Sequence, residues 1–492
     1  MRKRRILFLG LLATLAIVAA GCGGGGGKTG VSGPSGASLV RSTALAFVSI
    51  DSDLGSSQWQ QVDDLSHKFP GRSKALERLR QELAKHDIDY GRDVEPALGP
   101  EVDLAAAAGS TPNATSFVVL TKPDDADKYK ELVKKLNASD TSGKPAVYRE
   151  VNGWYALSDS QAKIDATLKP QAEDALSDNG TFKEALGKLP DDALAKAYVN
   201  GPELARVIGE AARESDSSFD PSAVGLDKLD FISASLSAEN DGLRVHGAAQ
   251  GAGTSAFGRG DYSSKLLGGV PGDALAFFTF DGGGTVAQLQ KLQSRPEVQR
   301  LERELGVSFA ELLDLFRNEV GLYVRPGIGI PELTLGLTTD DQGGALATLD
   351  KLAARLAALY GGRLRSGEQG GHHPVKTLDF GQFAVHYGGL GDKVIITSGV
   401  TGLADYAASG HKLPDSADFK DAREAAGMPD TTGPFTYIDL KNAIPLIEGL
   451  VALFGETPSS DVTENLRPLR SFLAWTTGSG ESRTFDAFLE IK

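Results

Sequence analysis

Residues 43–51 read TALAFVSID and residues 273–281 read DALAFFTFD, with five of nine positions identical. The likeness continues in the same order along both halves of the chain. ALERLRQELA (75–84) and ALGPEVDL (97–104) parallel VQRLERELG (298–306) and LFRNEVGL (315–322). VVLTKPDDADKYKELVKKL (118–136) parallels LGLTTDDQGGALATLDKLAARL (335–356), FKEA (182–185) parallels FKDA (419–422), and AYVNG (197–201) parallels TYIDL (436–440). Shared composition can produce any one of these matches, but a shared order marks an internal repeat. The 492-residue length also exceeds what one hydrophobic core ordinarily organises. We read two tandem homologous domains, 39–250 and 271–492, joined by a Gly/Ser-rich linker at 251–270.

Periodicity within the first copy gives its elements. ALAFVSID is a short strand, and residues 58–86 place Val62, Leu65, Phe69, Leu76, Leu79 and Leu83 at helical spacing, interrupted by Pro70 and Gly71. EVDLAAAA and SFVVLT read as strands, and 124–137 as a helix with Tyr129, Leu132, Val133 and Leu136 on one face. PAVYRE and GWYALS form a hairpin about Asn152-Gly153, a pair suited to a type I′ turn. Helices follow near 160–169 and 181–188, then strand ALAKAYV and a helix over 202–213 capped by Asn200. The copy closes with FISASLSAEN and GLRVHGAAQ, in which Ile232, Ala234, Leu236, Leu243, Val245 and Gly247 alternate with polar residues and are expected on the buried face. The second copy closes on TFDAFLEI, with Phe485, Ala487, Leu489 and Ile491 expected on one side and the C-terminus held in the sheet. The expected class is α+β, each copy a mainly antiparallel sheet with packed helices.

The amino terminus carries a different kind of signal. CGGGGGKT (22–29) is close to a phosphate-binding loop, but Cys22 stands where that loop needs its first glycine, and neither a strand before nor a helix after supports it. MRKRR is a basic n-region, ILFLGLLATLAIVAA an apolar h-region, and Ala19-Ala20-Gly21 a run of small residues. The apolar run is shorter than the roughly 20 residues of a membrane-spanning helix. It reads as a lipoprotein signal peptide over 1–21. AAGC resembles the bacterial lipobox, although the commonest form has Leu at its first place; the motif implies that Cys22 becomes the diacylated N-terminus. Two acyl chains suffice for stable anchoring, each buried methylene contributing about 0.8 kcal/mol. Export with an unmodified Cys22 is the alternative. Residues 23–38 are Gly/Ser-rich and read as a tether with a root-mean-square reach of about 20 Å. The expected place is extracytoplasmic, lipid-anchored to the bacterial cell membrane.

Charge excludes other partners. Without the leader, 47 Lys+Arg face 65 Asp+Glu, a formal charge of −18. Nucleic acid and anionic lipid surfaces both call for a basic face. The lone Cys leaves no disulfide and no Cys-based zinc site.

ALAFVSID with SSQWQQVDDLSHKFPG, the later ALGPEVDLA, and the mid-chain YSSKLLGGVPGDALAFFTF resemble an uncharacterised family of bacterial envelope lipoproteins, domain of unknown function 3352. The resemblance covers nearly the whole mature chain and implies a surface lipoprotein of unassigned role. It supplies no catalytic residues.

Local chemistry is sparse. No G-x-S-x-G elbow and no H-E-x-x-H occurs. Asp51-Ser-Asp53-Leu-Gly55 resembles part of a calcium loop, but its counterpart Asp281-Gly-Gly-Gly lacks the ligands, and a solvated turn is favoured. His372, His373, His386 and His411 have no counterparts in the first copy, and adjacent His side chains beside Pro374 are expected to point apart rather than converge on a metal. No cofactor is expected. One contrast stands out: PELARVIGEAARE is amphipathic, whereas NAIPLIEGLVALFG (442–455) is apolar almost all round. Such a helix is expected to be buried on every side, between the copies, at a partner surface or around an apolar ligand. Leu446, Ile447, Leu450, Val451, Leu453 and Phe454 are therefore the candidate apolar binding surface. Three functions remain in order: non-enzymatic binding or scaffolding in the cell envelope, carriage of a lipid or other apolar ligand, and a hydrolase without a local motif.

Overall fold

The computed structural model describes residues 35–109, 114–139, 145–169, 174–214, 221–251, 260–327, 329–453, 455 and 458–492. The leader, Cys22, tether residues 23–34 and Phe454 lie outside these. Among the described residues no helix is long and apolar enough to cross a membrane. The chain divides into two compact units. Unit 1 runs to Gly253 and includes 464–468 and 491–492; unit 2 comprises 254–463 and 469–490.

Unit 1 contains strands β1 (Ala46–Asp51), β2 (Glu101–Ala107), β3 (Ser116–Thr121), β4 (Val147–Val151), β5 (Trp154–Ser158), β6 (Ala195–Asn200), β7 (Leu229–Glu239) and β8 (Gly242–Gly251). They form an antiparallel sheet in the order β4-β5-β3-β2-β1-β6-β7-β8. Its helices are α1 (Ser57–His67), α2 (Arg72–Ala84), α3 (Ala126–Ser139), α4 (Gln161–Thr167), α5 (Gly180–Gly187) and α6 (Gly201–Glu214). Pro70-Gly71 does separate two helices. The β4–β5 turn has Asn152 at φ 53° and Gly153 at φ 80°, as a type I′ hairpin requires. Asn200 caps α6, its Oδ1 accepting from Glu203 N–H at 3.2 Å.

Unit 2 contains β9 (Ala276–Asp281), β10 (Glu319–Arg325), β11 (Glu332–Thr338), β12 (Arg363–Gln369), β13 (His373–Asp379), β14 (Ala384–Leu390), β15 (Lys393–Thr397), β16 (Phe435–Asp439), β17 (Leu469–Thr477) and β18 (Ser482–Ile491). The antiparallel order from β12 to β17 is β12-β13-β14-β15-β11-β10-β9-β16-β17. Removing the β12–β13 hairpin leaves the strand order of unit 1. That hairpin carries His372 and His373, which explains why these two lack counterparts; His386 lies on β14. Its helices include α7 (Pro296–Leu305), α8 (Phe309–Asp314), α9 (Gln342–Tyr360), α10 (Gly402–Ala407), α11 (Ala417–Ala426) and α12 (Leu440–Leu453).

The repeated ALAF strand is central in both sheets, and its phenylalanine sets the inner face. Phe47 is 1% exposed and meets Phe182 of α5 edge-on at 5.9 Å; Phe277 is 1% exposed and meets Phe435 edge-on at 5.3 Å. Phe231, Tyr198 and Trp154 complete the inner core of unit 1; Tyr323, Phe419, Tyr437 and Leu473 complete that of unit 2. The outer faces carry smaller cores, under α2 and α3 in unit 1 and under α9 in unit 2.

Helices on both faces overturn one expectation. On β7 Leu229, Phe231, Ser233, Ser235 and Ala238 are buried, whereas Ile232, Ala234 and Leu236 are half-buried. On β8, Gly247 is buried, but Leu243 and Val245 are half-buried. The serines face inward because they pair with bulky inner neighbours, Ser233 beside Tyr198 and Ser235 beside Lys196. β18 likewise buries Arg483, Phe488, Glu490 and Ile491, leaving Phe485, Ala487 and Leu489 half-buried. The C-terminus is held as expected: Ile491 N–H donates to Asp241 O at 2.7 Å and Lys492 N–H to Pro468 O at 2.9 Å.

Two boundaries also move. Residues expected at the end of the tether belong to the fold: Ser35–Leu39 forms a 3₁₀ turn and Ala37 is fully buried. The end of the expected linker does too, with Leu266 and Val270 buried in the inner core of unit 2. Glycine-rich composition masked two short apolar anchors in each case. Phe47→Ala is expected to lower the unfolding free energy by about 3–5 kcal/mol, read by chemical denaturation.

Candidate functional site

The candidate surface grows out of β16. Phe435, Tyr437 and Asp439 point inward, so Thr436 and Ile438 point outward. The ladder carries this parity across the sheet: Thr436 lies beside Phe278, Phe278 beside Leu322, Leu322 beside Leu335, and Leu335 beside Ile396. One row along, Phe472, Ile438, Ala276, Val324 and Leu333 are paired in the same way. Two parallel apolar rows therefore cross the outer face. Helix α9 partly covers Leu335 and Ile396. Phe278, Leu322 and Leu333 remain 39%, 36% and 50% exposed.

At Asp439 the chain turns into α12. The Asp439 carboxylate accepts from Asn442 N–H at 3.1 Å and from its amide at 2.7 Å, satisfying free groups of the first turn. Lys441 Nζ pairs with Asp418 of α11 at 2.9 Å. Helix α12 rests on β16 and β17. Pro445 removes a backbone donor from its interior.

The expectation of burial on every side fails. No described residue of α12 is buried: Leu446, Leu450 and Val451 are half-buried, and Ile447 and Leu453 are 56% and 75% exposed. Comparison with α6 supplies the reason. Gly201 opens α6 so close to the sheet that a Cβ there would lie 1.9 Å from the Leu229 carbonyl oxygen. Leu440 opens α12 at the corresponding place, and its side chain forbids that approach. Gly201, Gly209 and Ala212 are buried in α6. The helix with the most apolar sequence thus rests on β16 and β17 without burying any of its described residues. The sheet rows beside it leave little trace in the sequence, because FFTF (277–280) is apolar on both faces of its strand.

The other candidates serve structure. Asp51 Oδ1 accepts from Asp53 N–H at 2.9 Å and Oδ2 from Ser56 Oγ at 2.6 Å, while Asp53 Oδ1 accepts from Gly55 N–H at 2.9 Å. These bonds shape the turn into α1. His386 is buried on β14 with Nδ1 2.9 Å from Thr377 Oγ1, and burial lowers its pKa. Among the described residues no group of three or more His, Cys, Asp or Glu side chains could hold a metal ion.

Two expectations follow. Because Ile447 is 56% exposed and Leu473 is fully buried, Ile447→Ala is expected to change stability by less than about 0.5 kcal/mol, whereas Leu473→Ala costs about 2–5 kcal/mol; thermal melts compare them. Burial pushes the Asp51 carboxyl up to about 6, against the opposing pull of Ser56. Its stabilising contribution is complete below the ordinary carboxylate range and lost as pH rises through about 6. Carboxyl NMR titration reads this midpoint, and Asp51→Asn removes the dependence.

A family model described as "Protein of unknown function (DUF3352)" matches residues 6–163. No match is found among curated proteins. Solved structures of TP0453 in crystal forms I and III are each 14% identical; they cover 44% and 46% of this chain and 74% and 95% of their own, at TM-scores of 0.23 and 0.25. Likeness at that level carries no argument about fold or activity. Over residues 6–163, the chain is similar to the DUF3352 family of proteins of unknown function.

Proposed function

We propose that this is a lipoprotein of the cell envelope, anchored outside the cytoplasm through lipid on Cys22, that acts by binding or scaffolding through the outer face of unit 2. The observation that carries the binding reading is α12, an apolar helix with no described residue buried. Large exposed apolar patches on a folded protein mark interaction sites. Phe278, Leu322 and Leu333 extend the patch onto the sheet. The anchor reading rests on the basic and apolar leader before Cys22. The matching strand orders support duplication of one domain. The same rows suit an acyl chain as well as an apolar protein surface, and carriage of an apolar ligand is the second reading.

Cys22→Ala is expected to move the protein from the membrane fraction to the soluble one; retention overturns the anchor. Ile447→Asp with Leu453→Asp is expected to leave the melting temperature unchanged and to remove partners recovered by crosslinking in cells. Unchanged crosslinks overturn the binding surface. Lipid lost from the purified protein in the same variant, read by mass spectrometry, selects the carrier reading.

A further inference from the structure

Each unit begins with a short turn packed against the inner face of its first two strands. In unit 1 it is Ser35–Leu39, and in unit 2 Leu267–Gly269 with the residues before it. A glutamate at the start of the second strand clips each one. Glu101 accepts from Ser35 N–H at 2.8 Å and from Ser35 Oγ at 2.7 Å. Glu319 accepts from Ser264 Oγ and from Lys265 N–H, the latter at 2.7 Å. The clip is the same in both.

Two residues further along the strand, the chemistry diverges. EVDLA (101–105) corresponds to EVGLY (319–323), so Asp103 stands where unit 2 has Gly321. The strap residue above it changes in the opposite sense. In unit 2, Leu266 is 1% exposed and covers Gly321, where a Cβ would come within 2.9 Å of Leu266 Cδ1. In unit 1, Gly36 covers Asp103, and a Cβ on Gly36 would lie 2.0 Å from Asp103 Oδ2. A leucine over a glycine has become a glycine over a carboxyl group. Asp103 is 0% exposed, and neither of its oxygens has a hydrogen-bond partner. The Ser49 hydroxyl beside it on β1 is also unpartnered.

Few charges face this carboxyl. On β2, Glu101 lies on the same side and carries the same charge. Lys196 on β6 is the cation nearest along the row, separated from Asp103 by Ser49. On α4, Lys163 pairs with Asp159, and Asp165 with Arg149. The strap itself has no charged side chain from Ser35 to Val40, and Arg41 is spent on the carbonyls of Leu168 and Asp165. On β3 the paired residue is Leu120, and on β5 Trp154 closes the far side.

We infer that Ser35–Leu39 is a proton-operated latch, closed over Asp103 while that carboxyl is protonated and released when it ionises. Burial penalises an ionised carboxylate here more than the Ser49 hydroxyl and the Gly36 N–H beside it offset, and the strap is the element that covers it. Burial raises the Asp103 carboxyl well above the ordinary carboxylate range, with the charge of Glu101 pushing the same way. Closure is therefore favoured in full below the ordinary value and is lost as pH rises through the closed-state value. The linkage is at most tenfold per pH unit. In unit 2 the same cover is apolar and has no such dependence. Release of five residues lengthens the chain toward Cys22 by about 17 Å; this consequence, unlike the latch, rests on the anchor reading.

Amide hydrogen exchange on the full-length protein in detergent tests the latch. Rates are corrected for the chemical pH dependence of exchange and followed from about pH 5 to about pH 8. Protection of residues 36–40 is expected to fall with pH by up to about tenfold per unit, while residues 264–270 of the same molecule stay constant. Asp103→Asn is expected to hold the strap closed at every pH. Should that variant fail to fold, the double exchange Gly36→Leu with Asp103→Gly, which reproduces the pair of unit 2, gives the same expectation. A pH-independent strap in the parent protein, or an unchanged slope in either variant, overturns the proposal. Cys22→Ala leaves all these outcomes in place, so failure of the anchor and failure of the latch are read separately.

Discussion

The inward burial of one phenylalanine per unit, Phe47 on β1 and Phe277 on β9, is the constraint on which the rest depends. Each belongs to the strand hydrogen-bonded on both sides, so its orientation fixes which residues of both neighbours face the same way. A slip of one residue would exchange the two faces of the sheet entirely. Serine at 49 and threonine at 279 point inward because Phe47 and Phe277 do. The same parity sends Phe278 and Leu322 outward in unit 2, and turns Asp103 inward in unit 1. The exposed apolar rows and the buried carboxyl therefore share one cause.

Much of this order was legible in the chain. The repeat TALAF/DALAF, the Asn-Gly hairpin and the Pro-Gly break each correspond to a local physical requirement, and each lies where that requirement places it. The failures have a common origin. Alternation identifies a buried face only when the other face meets water, and here helices lie over both. Ile232 and Leu236 were assigned inward on hydrophobicity, but Ser233 and Ser235 are small enough to sit beside Tyr198 and Lys196, and so the serines are inside. At the ends of the tether and the linker, composition was averaged over glycine and serine. Ala37 and Leu266 were lost in that average.

Helix α12 shows why a segment's own sequence does not settle its burial. Its side chains would favour a core, and its place after the central sheet offers one. The two helices differ where they meet their sheets: the glycine that seats α6 against the Leu229 carbonyl is a leucine at the start of α12, and α12 buries none of its described residues. The apolar surface is more than the helix alone, because Phe278 stands where unit 1 has the smaller Val48, and Leu322 is 36% exposed where its counterpart Leu104 is half-buried. Two differences between the copies, Gly201 against Leu440 and Val48 against Phe278, thus add apolar side chains to the same face of unit 2.

The two straps make the complementary point for unit 1. A covering turn must fill the hollow above its strand, and either side of the contact can supply the bulk. Leu266 supplies it from above in unit 2, and the Asp103 side chain supplies it from below in unit 1. As steric solutions they are equivalent, which is why the clip by Glu319 or Glu101 survives unchanged around both. As electrostatic solutions they are opposite. An apolar side chain gains from the dryness of the site at any pH, whereas a carboxyl group tolerates it only with its proton bound. A purely structural role would be served better by the leucine, with no dependence on solution conditions. The choice of aspartate, sealed at 0% exposure beneath the segment that leads to the amino terminus, thus gives unit 1 a conditional closure where unit 2 has an unconditional one.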